Sequence, residues 1–137
     1  MANISVHHIE GSRFTINVRG HALTIDQPVE DGGTDLGPTP SELFVASLAG
    51  CVAYFAERFL ERHQIDAEGL AVEASYAYAK EPPSRVSSIG IKVGLPAGFP
   101  AAKLEAFTRV IDRCTVHNSL KQPPEVDIAV VPRAVAA

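Results

Sequence analysis

The chain reads as a single α+β domain spanning 1–137, and three features of the sequence point that way. Segments with period-two alternation flank a long uncharged run that opens on a helix-start signal. A second, shorter stretch carries apolar residues at helical spacing. The resulting order is strands, helix, strands, helix, strand.

Residues 4–9 and 13–18 alternate as strands. In the second, Phe14, Ile16 and Val18 share one face, with Arg13, Thr15, Asn17 and Arg19 on the other. Gly20-His21 is the expected turn, after which Ala22 to Ile25 pairs back as a hairpin. Gln27 to Pro38 is a loop rich in Pro, Gly and Asp. It has neither the GxGxxG nor the GxxxxGK[ST] spacing that a phosphate-cradling loop needs.

The central helix begins at Pro40. Thr39 is its N-cap, Pro40 occupies the first helical position with φ pre-set, and Glu42 completes a capping box. From Leu43 to Ala56 no residue is charged, so this segment is apolar all round and belongs in an interior. Its fourteen residues fall short of the roughly 18–20 that a bilayer requires, so no membrane role is expected. Glu57, Arg58, Glu61, Arg62 and His63 then return the helix to water before it ends near Gln64.

Two further strands follow. Leu70, Val72, Ala74, Tyr76 and Tyr78 line one face, and Ile89, Ile91, Val93 and Leu95 alternate after a Pro82-Pro83 turn, as in an antiparallel pair with one covered side. A second helix places Leu104, Phe107, Val110, Ile111 and Cys114 on one stripe. Pro123-Pro124 stops what comes next, and Val126 to Val131 is expected as a last strand.

A helix apolar on every side needs cover on every side, and the sheets of one chain would cover about half of it. A homodimer completes it most simply, with two long helices packed through Ala46, Ser47, Ala49, Gly50 and Ala53. The alternative is that the second helix and the N-terminal hairpin finish the cover within one chain.

Net charge is −4 and the twelve basic residues are scattered, so nothing argues for nucleic acid or an anionic membrane as partner. No basic segment followed by an apolar run opens the chain, and a cytoplasmic location is the expectation. There a permanent structural disulfide is not expected. Cys114-Thr115-Val116-His117 is the closest approach to metal-ligand spacing, and one Cys with one His does not make a zinc site. His7, His8, His21 and His63 fall in separate elements, and no GxSxG is present. Neither a metal nor another cofactor is expected.

Cys51 and Cys114, 63 positions apart, both fall on inward helical faces. The bland reading is two small buried hydrophobes. The chemical reading is exchange between dithiol and disulfide: a thiolate attacks an electrophile such as a peroxide oxygen, becomes a sulfenic acid, and its partner resolves it. Burial in apolar surroundings suppresses thiol reactivity, so Cys51 would need a cation nearby. Arg13, Arg19 or a residue of a second subunit are the candidates.

The run from Gly37 to Cys51 (Gly-Pro-Thr-Pro-Ser-Glu-Leu-Phe-Val-Ala-Ser-Leu-Ala-Gly-Cys), with Cys114-Thr115-Val116-His117-Asn118-Ser119-Leu120 downstream, resembles the OsmC/Ohr family of osmotically inducible and organic-hydroperoxide-resistance proteins. The resemblance spans nearly the whole chain in element order. It implies an intertwined homodimer, with long central buried helices and antiparallel sheets wrapped around them. It also implies a cysteine-based peroxidase for small hydrophobic hydroperoxides, Cys51 peroxidatic and Cys114 resolving, recycled by a dithiol reductant. The family's best-studied branch adds an arginine, matched here by Arg13 or Arg19, and a glutamate directly after the proline of Asn-Pro-Glu. This chain has Thr39-Pro40-Ser41, which puts Ser41 at the glutamate position. Glu42 lies nine residues before Cys51, about 180° away around the helix, and is better explained as the capping acid. That departure keeps a second reading open, a non-catalytic dimer holding a small hydrophobic ligand.

Overall fold

The computed structural model describes residues 3–132. Its first unit is an antiparallel sheet of three strands, β1 (Ile4–Glu10), β2 (Arg13–Val18) and β3 (His21–Ile25), in the order β1-β2-β3. The β2–β3 turn is Arg19-Gly20, one residue earlier than expected, with Val18 pairing His21. Both turn residues have positive φ, 49° and 81°. Such two-residue turns match the twist of the flanking strands. Arg19 therefore leaves the strand face on which it was expected and occupies the hairpin tip.

The loop that follows folds back on the end of β3. Asp35 N donates to Gln27 O at 3.0 Å, and Asp26 N to Pro38 O at 3.1 Å. The backbone comes so close at Gly33 that a Cβ there would collide with the Gln27 carbonyl. Asp26, 1% exposed, anchors the loop by accepting five hydrogen bonds.

Helix α1 (Pro40–Arg62) starts as read. Glu42 N donates to Thr39 Oγ1 at 3.1 Å, and Thr39 N donates to Glu42 Oε1 at 2.8 Å. The reciprocal bonds satisfy two donors that a helix start otherwise leaves open. Val45, Leu48, Val52, Ala56, Phe59 and Leu60 form the buried stripe. Length and hydropathy alone would let α1 cross a membrane, but here it packs as a core helix against β4, β5, α2 and α3, whose ranges are β4 (Ala71–Tyr78), β5 (Val86–Gly94), α2 (Leu104–Ile111) and α3 (Thr115–Lys121).

β4 and β5 pair antiparallel, with Val72 opposite Val93 and Ala74 opposite Ile91, and β5 starts at Val86 rather than 89. One end of α1 joins α2 in a core of Ala56, Phe59, Leu60 and Phe107. Phe107 meets Phe59 and Phe99 edge-on at 5.3 and 5.2 Å.

Two expectations are corrected. The second helix ends at Ile111, and Cys114 precedes the separate helix α3 with extended backbone (ψ 134°). It is fully buried at the junction rather than on the stripe of α2. Val126 to Val131 forms no strand. It joins neither the β1-β2-β3 nor the β4-β5 sheet, and Val126, Ile128 and Val130 stand 78–94% exposed.

The single chain covers only one side of α1. Ala46, Ser47, Gly50 and Tyr54 on its other side are exposed. The β1–β3 sheet makes no substantial contact with α1, so the N-terminal hairpin does not complete the cover from within.

Candidate functional site

Two elements distant in sequence bring the cysteines together. Cys51 lies in the middle of α1, one turn past Leu48, and Cys114 lies at the α2–α3 junction that packs on the same turn. Leu48, Val52 and Cys114 form one buried cluster, with Cys51, Phe55, Val72, Ile91 and Val116 against it. Both thiols are free, Cys114 buried and Cys51 partly accessible. Cys51 packs directly on the cluster that buries Cys114.

The two sulfurs are therefore neighbours in unequal environments. Burial pushes the Cys114 thiol above its ordinary range, and the adjacent Cys51 adds to this. The backbone N–H groups of His117 and Val116 pull the other way without prevailing. Cys114 is thus held as a neutral thiol, able to give its proton to a leaving hydroxide but poorly suited to attack first.

The arginines are not brought to the cysteines within one chain. Arg13, on β2, donates to Glu10 Oε2 at 3.2 Å and to Thr34 Oγ1 at 3.5 Å. Thr34 in turn donates to Asp26, as does Ser12. The Asp26 carboxyl is held far below the usual carboxylate range, first by the Thr34 hydroxyl and further by Gln27, Ser12 and Leu36, against the opposing effect of burial. Arg13 is thereby fixed at the start of the central strand of a sheet that makes no substantial contact with α1. Arg19 sits at the tip of that sheet.

The Asp26 network was not anticipated from sequence. Its one local signal is an Asp that ends a strand and opens a Gly/Pro-rich loop, a usual place for side chain-to-backbone bonding. Glu42 holds the helix cap, as its spacing indicated, and its charge also helps raise the Tyr76 hydroxyl, after burial and the neighbouring Tyr78. Of the two aromatics one turn beyond Cys51, Phe55 packs on the cysteine cluster, whereas Tyr54 remains 57% exposed.

An apolar groove of about 440 Å³ runs beside this cluster, floored by Leu48, Val52, Ile89 and Ile91 and edged by Asp112 and His117. His117 Nδ1 lies 3.5 Å from Asp112 Oδ1, and Lys121 pairs with the same carboxylate at 3.5 Å.

Solved structures share this fold. A protein from Psychrobacter arcticus 273-4, assigned to osmotic stress induction and detoxification response, superposes with a TM-score of 0.78 at 22% identity, covering 87% of this chain and 88% of that one. An OsmC-like protein from Mycoplasma pneumoniae gives 0.76 at 19% identity over 90% and 89%. The organic hydroperoxide resistance protein OhrB of Bacillus subtilis gives 0.64 at 15% over 90% and 92%. At these identities the likeness establishes the fold. Among curated proteins, none matches the sequence at a significant level. The family model for OsmC-like protein matches residues 32–129, from the loop after β3 through both cysteines, and the chain belongs to that family.

Proposed function

We propose that the protein reduces organic hydroperoxides in a stress response, with Cys51 as the attacking thiol and Cys114 as the resolving one. The observation that carries this reading is the pairing of the two thiols in one shielded cluster, one partly accessible and one buried. The hydroperoxide-resistance role of similarly folded proteins supports the substrate class.

In the first step the Cys51 thiolate attacks the terminal peroxide oxygen. The O–O bond breaks, the alkoxide leaves as the alcohol after taking a proton, and Cys51 becomes a sulfenic acid. In the second, the Cys114 sulfur attacks the Cys51 sulfur, and the hydroxide departs as water with the Cys114 proton. A disulfide remains, and an external dithiol returns both sulfurs to thiols by exchange. Apolar walls favour an alkyl or aryl hydroperoxide over hydrogen peroxide and keep bulk water from the sulfenic acid.

The functional unit is a homodimer. Its two requirements are the uncovered side of α1 and the β1–β3 sheet that makes no substantial contact with α1. A second copy supplies both, and brings a sheet carrying Arg13 and Arg19 toward the α1 of its partner. The segment from Val126 to Val131, alternating and unpaired, becomes the expected strand once a second copy offers an edge. Either arginine can then supply the cation that Cys51 lacks in one chain.

The apolar groove favours a second reading, a binding dimer for a small hydrophobic ligand without turnover. Steady-state reduction of cumene hydroperoxide with a dithiol as electron donor separates the two. The peroxidase reading expects turnover that Cys51→Ser abolishes and that Cys114→Ser limits to about one equivalent; absence of turnover with several dithiols favours the binding dimer.

A further inference from the structure

The C-terminal half of α1 and the adjacent face of α2 enclose a second cavity, of about 530 Å³, that the redox chemistry does not use. Its floor is aromatic and aliphatic, formed by Phe55, Phe59 and Val110, and three guanidinium groups line it, Arg58, Arg62 and Arg113. Among the described residues none of these arginines forms an ion pair. The acids of the neighbouring helix are already committed: Glu105 bonds Arg109 at 3.0 Å, and Asp112 pairs with His117 and Lys121. Glu57 and Glu61 stand on the adjacent face of α1 without joining the three arginines.

The placement gathers three exposed like charges around an apolar floor. Arg58 and Arg62 are four residues apart on one helical face, where like charges repel. Arg113 adds a third positive charge from across the cavity. His63, its ring on Phe59 at 4.1 Å, accepts from Lys103 Nζ at 2.9 Å through Nδ1, so a further ammonium sits at the rim. In a chain of net charge −4, this concentration of cations around an apolar floor is matched by an anion with an apolar body.

We propose that this cavity binds a small amphipathic carboxylate, its apolar body on Phe55, Phe59 and Val110 and its carboxylate shared by Arg58, Arg62 and Arg113. Planar guanidinium groups suit a carboxylate, and an aromatic floor does not suit a bare inorganic anion. The site shares Phe55 with the cysteine cluster and Tyr54 with the uncovered side of α1, but uses neither thiol and does not depend on the redox reading.

Calorimetric titration of the full-length protein tests it, with octanoate, its neutral counterpart octanamide, and inorganic phosphate as probes. Octanoate should bind at least tenfold more tightly than either of the others. Arg62→Gln and Arg113→Gln, which keep much of the side-chain stem, should each weaken octanoate about tenfold or more, with thermal unfolding unchanged. Arg85→Gln, outside the cavity, and Cys51→Ser should bind octanoate as the wild type does. Equal binding of octanoate and octanamide, or undiminished octanoate binding by both arginine variants, overturns the proposal. Phosphate binding as tightly as octanoate removes the apolar part of it. A change in sedimentation of the arginine variants reassigns the cavity to subunit contact and likewise overturns it.

Discussion

Cys51 and Cys114 pack in one apolar cluster, although 63 positions separate them in the sequence. Burial decides how the pair divides its labour. Cys114 is fully enclosed with its thiol pushed up, while Cys51 keeps partial access to solvent. Alkylation with iodoacetamide followed by peptide mass spectrometry should therefore label Cys51 first at neutral pH. Cys114 should lag at least tenfold and catch up only as pH rises above the ordinary thiol range.

The same asymmetry fixes a stability trend. A thiol whose folded-state pKa lies above its unfolded value stabilises the fold fully below the unfolded pKa, and this contribution drains as pH rises through the folded one. For Asp26 the sign reverses. Its depressed carboxyl supports the fold above the unfolded value of roughly 3.9, and the support is lost as pH falls below it. Asp26→Asn should lower the melting temperature at pH 7, and the gap from wild type should narrow steadily below about pH 4. Thermal melts across pH 2–7 check this. A constant gap would mean that the carboxylate charge is not what holds the loop.

The capping box gives a third expectation. Thr39→Ala removes the oxygen that accepts from Glu42 N and should cost about 1 kcal/mol in denaturant unfolding. Glu42→Gln, which can still accept from Thr39 N, should cost less. It should leave peroxide turnover near the wild-type value, because Glu42 serves the helix end rather than Cys51.

Phe107 is 2% exposed between Phe59 and Phe99, and it locks α2 onto α1. Phe107→Ala should destabilise the protein by about 3–5 kcal/mol. Urea unfolding measures it.

Gly50 probes the assembly. A Cβ added there meets nothing within 4 Å in a single chain. Gly50→Gln should therefore be tolerated by an isolated subunit but should separate two α1 helices packed through their small residues. Sedimentation velocity should find wild type as a dimer and the variant shifted toward monomer.

Local chemistry made much of the fold legible. Thr39, Pro40 and Glu42 are a complete helix start written in four consecutive positions, and alternation picked out Val72, Ile89, Ile91 and Val93, which pack against Leu48 and Val52 of α1. Where a structural choice depends on distant partners, the pattern misled. Val110, Ile111 and Cys114 keep helical spacing, so periodicity cannot register the extended ψ at Cys114 that ends the regular run. Val126, Ile128 and Val130 alternate like a strand, but a strand exists only when paired, and this segment joins neither sheet.

The site was legible to the same extent. Two cysteines on apolar faces could be paired by inference because each face must turn inward. The arginine could not be chosen, since Arg13 and Arg19 ride on a sheet that makes no substantial contact with α1. Asp26 escaped notice because five donors from Ser12, Gln27, Thr34 and Leu36 converge on it only after the loop has closed.

The most direct test is to treat the fully reduced protein with one equivalent of cumene hydroperoxide and map its peptides by mass spectrometry without reducing agent. The expected product is a single intrachain Cys51–Cys114 disulfide, lighter than the reduced pair by two hydrogens, with one equivalent of alcohol released. Recovery of both thiols unmodified, or a disulfide joining Cys51 to any other sulfur, would contradict the proposed peroxidase.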